Sequence, residues 1–451
     1  MQLSKFQLLR VLLIQEIRTL LVSPALWVML AILSLLVGYS FIQAVELFGQ
    51  ASKTALSYPD LASGMNPLEG VFVPTFGAYY LIETLLLPFV TIRLIGQDKQ
   101  NGTLKLLLQL PLSPFSLNAV KLLAMTTVWL LILLPGVSVL IIWHYLGGAV
   151  HFPETLTLVL GHSLYSLTIV CIAMFATVIS NALPTAAMIC LAVTLGSWVL
   201  DFAAGNGGWM DILSSWSLTT LLRQFESGLL SSTSLTSFLA LSLLFFIAAS
   251  VLLHPGRKFY HKIRILLLAV ATLLIVVSGV MQIQKTIDVT ESRKHSFNPA
   301  DVRALQQMKE ALKITIHLAP EDGRSYDLEH EVLSKLRRTL PNLDVVFAET
   351  QSTGLFAASE SDNYGLIEYE YAGKHDQSYS NSSFEILPLL YALGGLKVTP
   401  DVIPSYTGHP LVADASSSKW WFYLLLPLMF LLSAYLFRQP QIVTANKETI
   451  I

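Results

Sequence analysis

The chain alternates long unbroken apolar runs with short polar breaks. Eight runs, near residues 22–45, 71–92, 120–146, 155–180, 183–202, 236–253, 265–281 and 420–437, can cross a bilayer, because about 20 apolar residues span a hydrocarbon core of about 30 Å. The fourth and fifth meet at Ser180-Asn181-Ala182-Leu183-Pro184 and also read as one broken helix, although their combined length favours two spans. Residues 1–21 are interrupted by Lys5, Arg10, Glu16 and Arg18, but Phe6, Leu13, Ile17 and Leu20 share one helical stripe. That pattern predicts a helix lying in the membrane interface. A signal peptide is the alternative, disfavoured because no small-residue cleavage site follows and a full span begins at once.

The period changes after the seventh run. Ser296 or Asn298 can cap a helix through Ala311, strands are predicted over 314–318, 343–348 and 364–371, and a helix over 326–340 places Leu328, Val332 and Leu336 on one stripe. Strands alternating with helices predict a small open α/β sheet. Earlier, residues 205–230 have an amphipathic middle in which Leu218, Leu221, Leu222 and Phe225 oppose Arg223 and Ser227.

Composition fits two regimes. Of 451 residues, 53% are hydrophobic and 13% charged, too apolar for a soluble chain of this length. From Lys285 to Asp414 the chain carries 19 acidic and 12 basic side chains; the remainder carries 11 acidic and 16 basic. The spans therefore follow a positive-inside pattern, with a separate acidic solvated domain exempt from it. With the N-terminus inside, the 88–121 connection, the basic turn 254–264 and the tail after Arg438 fall in the cytoplasm, and the 46–70 loop, the 203–235 segment and the acidic domain fall outside. Trp143, Trp198, Trp420 and Trp421 lie near predicted span ends, as interfacial aromatics do. Cys171 and Cys190, both within spans, read as packing residues.

The sequence contains no G-x-x-x-x-G-K-[ST], HExxH or GxSxG motif and no Cys/His cluster. Nucleotide binding by a phosphate loop and a catalytic or metal constellation are not expected. Glu83 stands out because it falls near the middle of the second span, where an ionisable group is costly and faces a bundle interior or a water-filled path. His162, in the fourth span, is its natural polar partner. The pair reads equally as glue between helices or as part of a transport path. Pro135 and Gly136 predict a kink in the third span.

Residues 88–121, PFVTIRLIGQDKQNGTLKLLLQLPLSPFSLNAVK, form the tight connection between the second and third spans. Gly102 is a hinge or cap, Thr103 a helix N-cap, and a short helix over 104–110 ends at Pro111. Such a helix either dips into the headgroup region or docks a cytoplasmic partner. The run Pro88, Thr91, Arg93, Gly102, Thr103, Pro111, Ser113 and Lys121 resembles the cytoplasmic signature of ABC exporter permeases of the type-2 family, gliding-motility branch; of that family's two acidic positions, Asp98 keeps the charge and Gln97 does not. After the seventh span, Asp288, Thr290, Glu291, Ser296 and Pro299, and the later 365–380 segment, resemble the opening and the strand pair of the family's auxiliary subunit.

The resemblance implies a polytopic α-helical membrane protein of about eight transmembrane helices, with a small α/β, thioredoxin-like extracytoplasmic domain between the last two. Its parts are an elbow helix (1–21), a six-span permease domain (22–254), a basic turn with the seventh span (255–283), the outer domain (284–418), the eighth span (419–437) and a cytoplasmic tail (438–451). It further implies a non-catalytic subunit of the bacterial inner membrane, both termini cytoplasmic. Arg93, Gln97, Asp98, Gly102, Thr103, Leu104, Leu107, Pro111 and Lys121 would couple it to a separate ABC ATPase that holds ATP and Mg. The chain itself would bind no metal or cofactor. Its partners would be that ATPase, a second permease copy, the lipid bilayer and a periplasmic protein, with no nucleic acid. A competing reading is a mechanotransmission complex that relays ATPase motion to periplasmic partners without solute flux.

Overall fold

The computed structural model describes residues 4–201, 209–283, 285–318, 322–340, 342–348, 363–398 and 406–448. The chain divides into two compact units, Met1–Ile287 with Thr407–Ile451, and Asp288–Tyr406.

The first unit is a helical bundle. Among the described residues it contains eight helices long and apolar enough to cross a membrane. The N-terminal amphipathic stretch forms α1, Lys5–Val22, opened by a capping box in which the Ser4 hydroxyl accepts from Gln7 N–H and the Gln7 side chain accepts from Ser4 N–H. The first span, α2, runs Pro24–Ser57, well past the expected end at 45. Hydropathy falls at Glu46, but no helix breaker follows before Pro59, and Phe48, Ser52 and Ala55 are buried on the extension. Much of the expected outer loop is therefore helix.

The second span, Leu68–Gln100, contains two prolines that reshape it. Pro74 cannot donate to Gly70, and the ladder widens into a π turn, Leu68–Phe72, closed by Val73 N–H to Leu68 O. The helix α3, Val73–Leu85, stops at Leu86 because Pro88 has no N–H for the Thr84 carbonyl, and α4, Leu87–Gln100, restarts beyond it. Next come α5 (Thr103–Leu107), α6 (Pro114–Tyr145), α7 (Phe152–Ile179) and α8 (Leu183–Asp201). The fourth and fifth spans are thus separate helices. The helix α6 carries Pro135 within it.

The amphipathic segment forms α9, Leu218–Glu226, with Leu218, Leu221, Leu222 and Phe225 all buried. It is followed by α10, Ser232–Leu252, and α11, Phe259–Ile283. That last helix takes in Lys262 and Arg264 of the basic turn, and Lys262 Nζ donates to Leu252 O at 2.8 Å, a cation on a helix C-terminus. The eighth span, Ser416–Arg438, includes a π turn at Trp421–Leu425. Its Phe422 carbonyl accepts from Ser34 Oγ at 2.9 Å, and Trp27 stacks on Phe437 with centroids 5.8 Å apart. The helix α7 is the most buried span and α11 the least.

The second unit is a two-layer α/β fold. Its strands are β1 (Leu312–Ile316), β2 (Leu343–Phe347), β3 (Ile367–Tyr371) and β4 (Lys374–Ser378), in spatial order β2-β1-β3-β4. The β1–β2 pair is parallel, with Ile314 opposite Val345; β1–β3 and β3–β4 are antiparallel, with Ile314 opposite Tyr369. Alternation sends Leu312, Ile314, Ile316, Ile367 and Tyr369 to one face. There they meet Leu305 of α12 (Pro299–Leu305), Leu328 of α13 (Gly323–Leu328), Leu336 of α14 (Ser334–Thr339) and Leu390 of α15 (Ser383–Gly394). Each such fully buried aliphatic contributes roughly 1.5–3 kcal/mol. The other face is polar, with Lys313 Nζ 3.9 Å from Glu370.

Several boundaries differ from expectation, the first strand running Leu312–Ile316 and not 314–318. The first helix ends at Leu305, not 311; the predicted 326–340 helix begins at Gly323 and widens to a π turn at Glu329–Leu333; and the 364–371 strand is the short β3 of a hairpin. The unit is also narrower than 284–418. Residues after Tyr406 return to the bundle, where His409 N–H donates to Met65 O and Leu411 N–H to Ser52 Oγ, each at 2.9 Å.

Candidate functional site

Two buried polar assemblies lie within the bundle. The first closes the 88–121 connection. Gly102, at φ 76°, caps α5, so Thr103 is the first helical residue and not the cap the sequence suggested. An L side chain is disfavoured at that angle. Leu104 is the buried anchor of α5, Leu107 is half-buried, and Thr103, Lys105, Leu106 and Pro111 are exposed. The Ser113 hydroxyl accepts from Ser116 N–H to start α6.

About two turns into α6, Lys121 is only 3% exposed. Its Nζ lies 2.5 Å from Asp98 Oδ2 on α4 and 2.5 Å from Glu16 Oε1 on α1, and donates to the Leu94 carbonyl at 3.3 Å. Burial pushes the Glu16 carboxyl above its ordinary range while adjacent Lys121 pulls it down. A buried cation with two carboxylates and a carbonyl is fully partnered, and removing any one partner is costly. Lys99, the residue after Asp98 on α4, donates to the Val178 carbonyl at 3.0 Å and to the Ser180 carbonyl, closing the C-terminus of α7. Asp98 and Lys121 thus use their charges inside the chain. Arg93 and Gln97 are half-buried, and the presented surface of the connection is α5 with its flanking turns.

The second assembly is at the break between α3 and α4. Glu83, one turn before Leu86, is 1% exposed. Its Oε2 is 3.1 Å from His162 Nδ1, and its Oε1 accepts from Ser166 Oγ at 2.8 Å. On the opposite edge of the imidazole, Glu226 Oε1 of α9 lies 3.4 Å from Nε2, longer than an ordinary N–H···O bond. The ring is flanked by Phe76 and Tyr79, centroids 5.3 and 6.0 Å away. The approach of α9 depends on Gly161, since a Cβ there would fall 2.5 Å from Phe225 Cβ.

The sequence-marked pair Glu83 and His162 is therefore brought together. Glu226, Ser166 and Glu16 were not singled out. Glu226 follows the apolar stripe of α9 by one residue, and Glu16 is one of four charges on α1; nothing local distinguishes either from a solvated carboxylate. Among the described residues no group of three or more His, Cys, Asp or Glu is arranged to hold a metal ion. The sequence and fold were compared with known proteins: no protein-family model, no curated protein and no solved structure matches this chain.

Proposed function

We propose that this chain is the membrane-spanning permease subunit of an ABC exporter of the type-2 family, fused to a thioredoxin-like auxiliary domain. It would reside in a bacterial inner membrane with both termini and the 88–121 connection in the cytoplasm. The observation that carries the reading is the build of that connection. A short helix with an exposed Leu106 is mounted on a left-handed glycine, and its two arms are bolted to each other and to α1 through Lys121. Such a mount transmits a push applied at α5 to three elements at once. Arg93, Lys99 and Lys105 near it are consistent with an inward-facing end.

A separate ATPase binding ATP and Mg would press on α5, a second permease copy would complete the pathway, and the outer unit would meet a periplasmic partner. The sheet order β2-β1-β3-β4, with the first pair parallel and the hairpin antiparallel, supports the thioredoxin-like reading. Redox chemistry is not part of it, because the unit contains no cysteine.

Sidedness tests the reading. With both native cysteines replaced, a cysteine at Leu106 is expected to react with a membrane-impermeant maleimide in inverted vesicles and not in intact spheroplasts. Reaction from outside overturns it. ATP-driven movement of a labelled lipid or peptide in vesicles, with the ATPase present, separates transport from a purely mechanical relay.

A further inference from the structure

We propose that Glu226, His162 and Glu83 form a proton-binding relay inside the bundle, taking a proton at Glu226 and delivering it to Glu83. The inference deepens the transport reading by supplying a coupling ion, but the site itself stands on geometry that does not depend on an ATPase. A single imidazole lies between two carboxylates, 3.1 Å from one and 3.4 Å from the other. With Nδ1 bonded to Glu83, Nε2 is left buried without a hydrogen-bond partner, although Glu226 Oε1 lies 3.4 Å away. A buried ring nitrogen that makes no bond is an open position for a proton or for a donor. Turning the Glu226 carboxyl into line with Nε2 fills it.

Accessibility gives the relay a direction. The Glu226 side chain is 17% exposed, while those of His162 and Glu83 are 2% and 1% exposed. Once the Glu226 carboxyl is in line with Nε2, transfer balances in one step: Glu226 Oε1–H gives its proton to Nε2 as Nδ1–H gives its proton to Glu83 Oε2. Glu226 is left ionised, Glu83 neutral and the ring in its other tautomer. Ser166 Oγ remains a donor to Glu83 Oε1. The surroundings compete little. On α3 the nearby titratable group is Tyr79; on α7 it is Tyr165, bonded to Thr84; Arg223 of α9 is exposed, Asp201 of α8 accepts from Thr220, and α10 has no ionisable side chain. Lys121 and His144 of α6 lie toward its two ends.

Infrared difference spectroscopy of the full-length protein in lipid tests the proposal, with a pH jump as the trigger. A protonated-carboxyl band that disappears in Glu83→Gln is expected, and in Glu226→Gln its appearance is expected to slow at least tenfold, the order lost with a positioned proton donor. Neither substitution changes side-chain size, and a thermal melt of each verifies folding. If His162→Gln also folds, it is expected to abolish the fast phase. Absence of a Glu83-dependent band, or a wild-type rate in Glu226→Gln, overturns the relay while leaving the sidedness of Leu106 untouched.

Discussion

Lys121 and Asp98 stand on opposite arms of the connection between the second and third spans, yet their charged atoms are 2.5 Å apart and Glu16 of α1 completes the group. Lys121→Met leaves two carboxylates facing each other at the bundle end, and a loss on the order of 3 kcal/mol is expected. Asp98→Asn is expected to cost less, since Glu16 still pairs the lysine. Thermal unfolding in detergent measures the loss, and faster tryptic cleavage at Arg10 and Arg18 reports release of α1.

Gly161 admits Phe225 where no side chain fits. Gly161→Leu is expected to destabilise by about 1–3 kcal/mol through overpacking and to move α9 away from His162. In a double-mutant cycle with Phe225→Gly the loss is expected to shrink, because removing the Phe225 Cβ together with the ring returns the space. Simple additivity in the melting data contradicts this packing account.

Gly102 has open space around it but a left-handed backbone. Gly102→Val is expected to cost about 1–2 kcal/mol from the backbone angle alone, and Gly102→Asn less. Leu106→Asp, on the exposed side of α5, is expected to leave stability within about 0.5 kcal/mol while uncoupling ATPase turnover from transport. A melt and an ATPase assay on the same sample separate the two effects.

In the α/β unit, Arg324 beside Asp322 and the Tyr364 hydroxyl at 2.8 Å hold the Asp322 carboxyl down at about 2. A carboxylate lowered in the folded state lends stability that is present above its unfolded value near 3.9 and lost as pH falls toward about 2. Hydrogen exchange at Gly323–Leu328 is expected to accelerate between those values in the wild type and to lose that acid step in Asp322→Asn.

Much of the architecture could be read along the chain because it is set by one-dimensional patterns. Span length and polarity placed eight helices long and apolar enough to cross a membrane, the stripe Leu218, Leu221, Leu222 and Phe225 named the buried face of α9, and Gly102 marked the start of α5, which ends at Leu107 and not at the expected 110. Element ends were less legible, since a proline's effect falls on the carbonyl four residues earlier. Pro74, Pro88 and Pro427 therefore produce π turns or breaks upstream of where a sequence reader expects them.

By itself the sequence determined that the chain forms eight helices long and apolar enough to cross a membrane, that an acidic α/β segment separates the last two, and that Glu83 is buried at a cost that demands a partner. Only the tertiary structure decided which charges meet. Glu226 and His162 are 64 positions apart, and Glu16 and Lys121 are 105 apart. Electrostatic pairing depends on distance in space and on exclusion of water, and neither is set by distance along the chain.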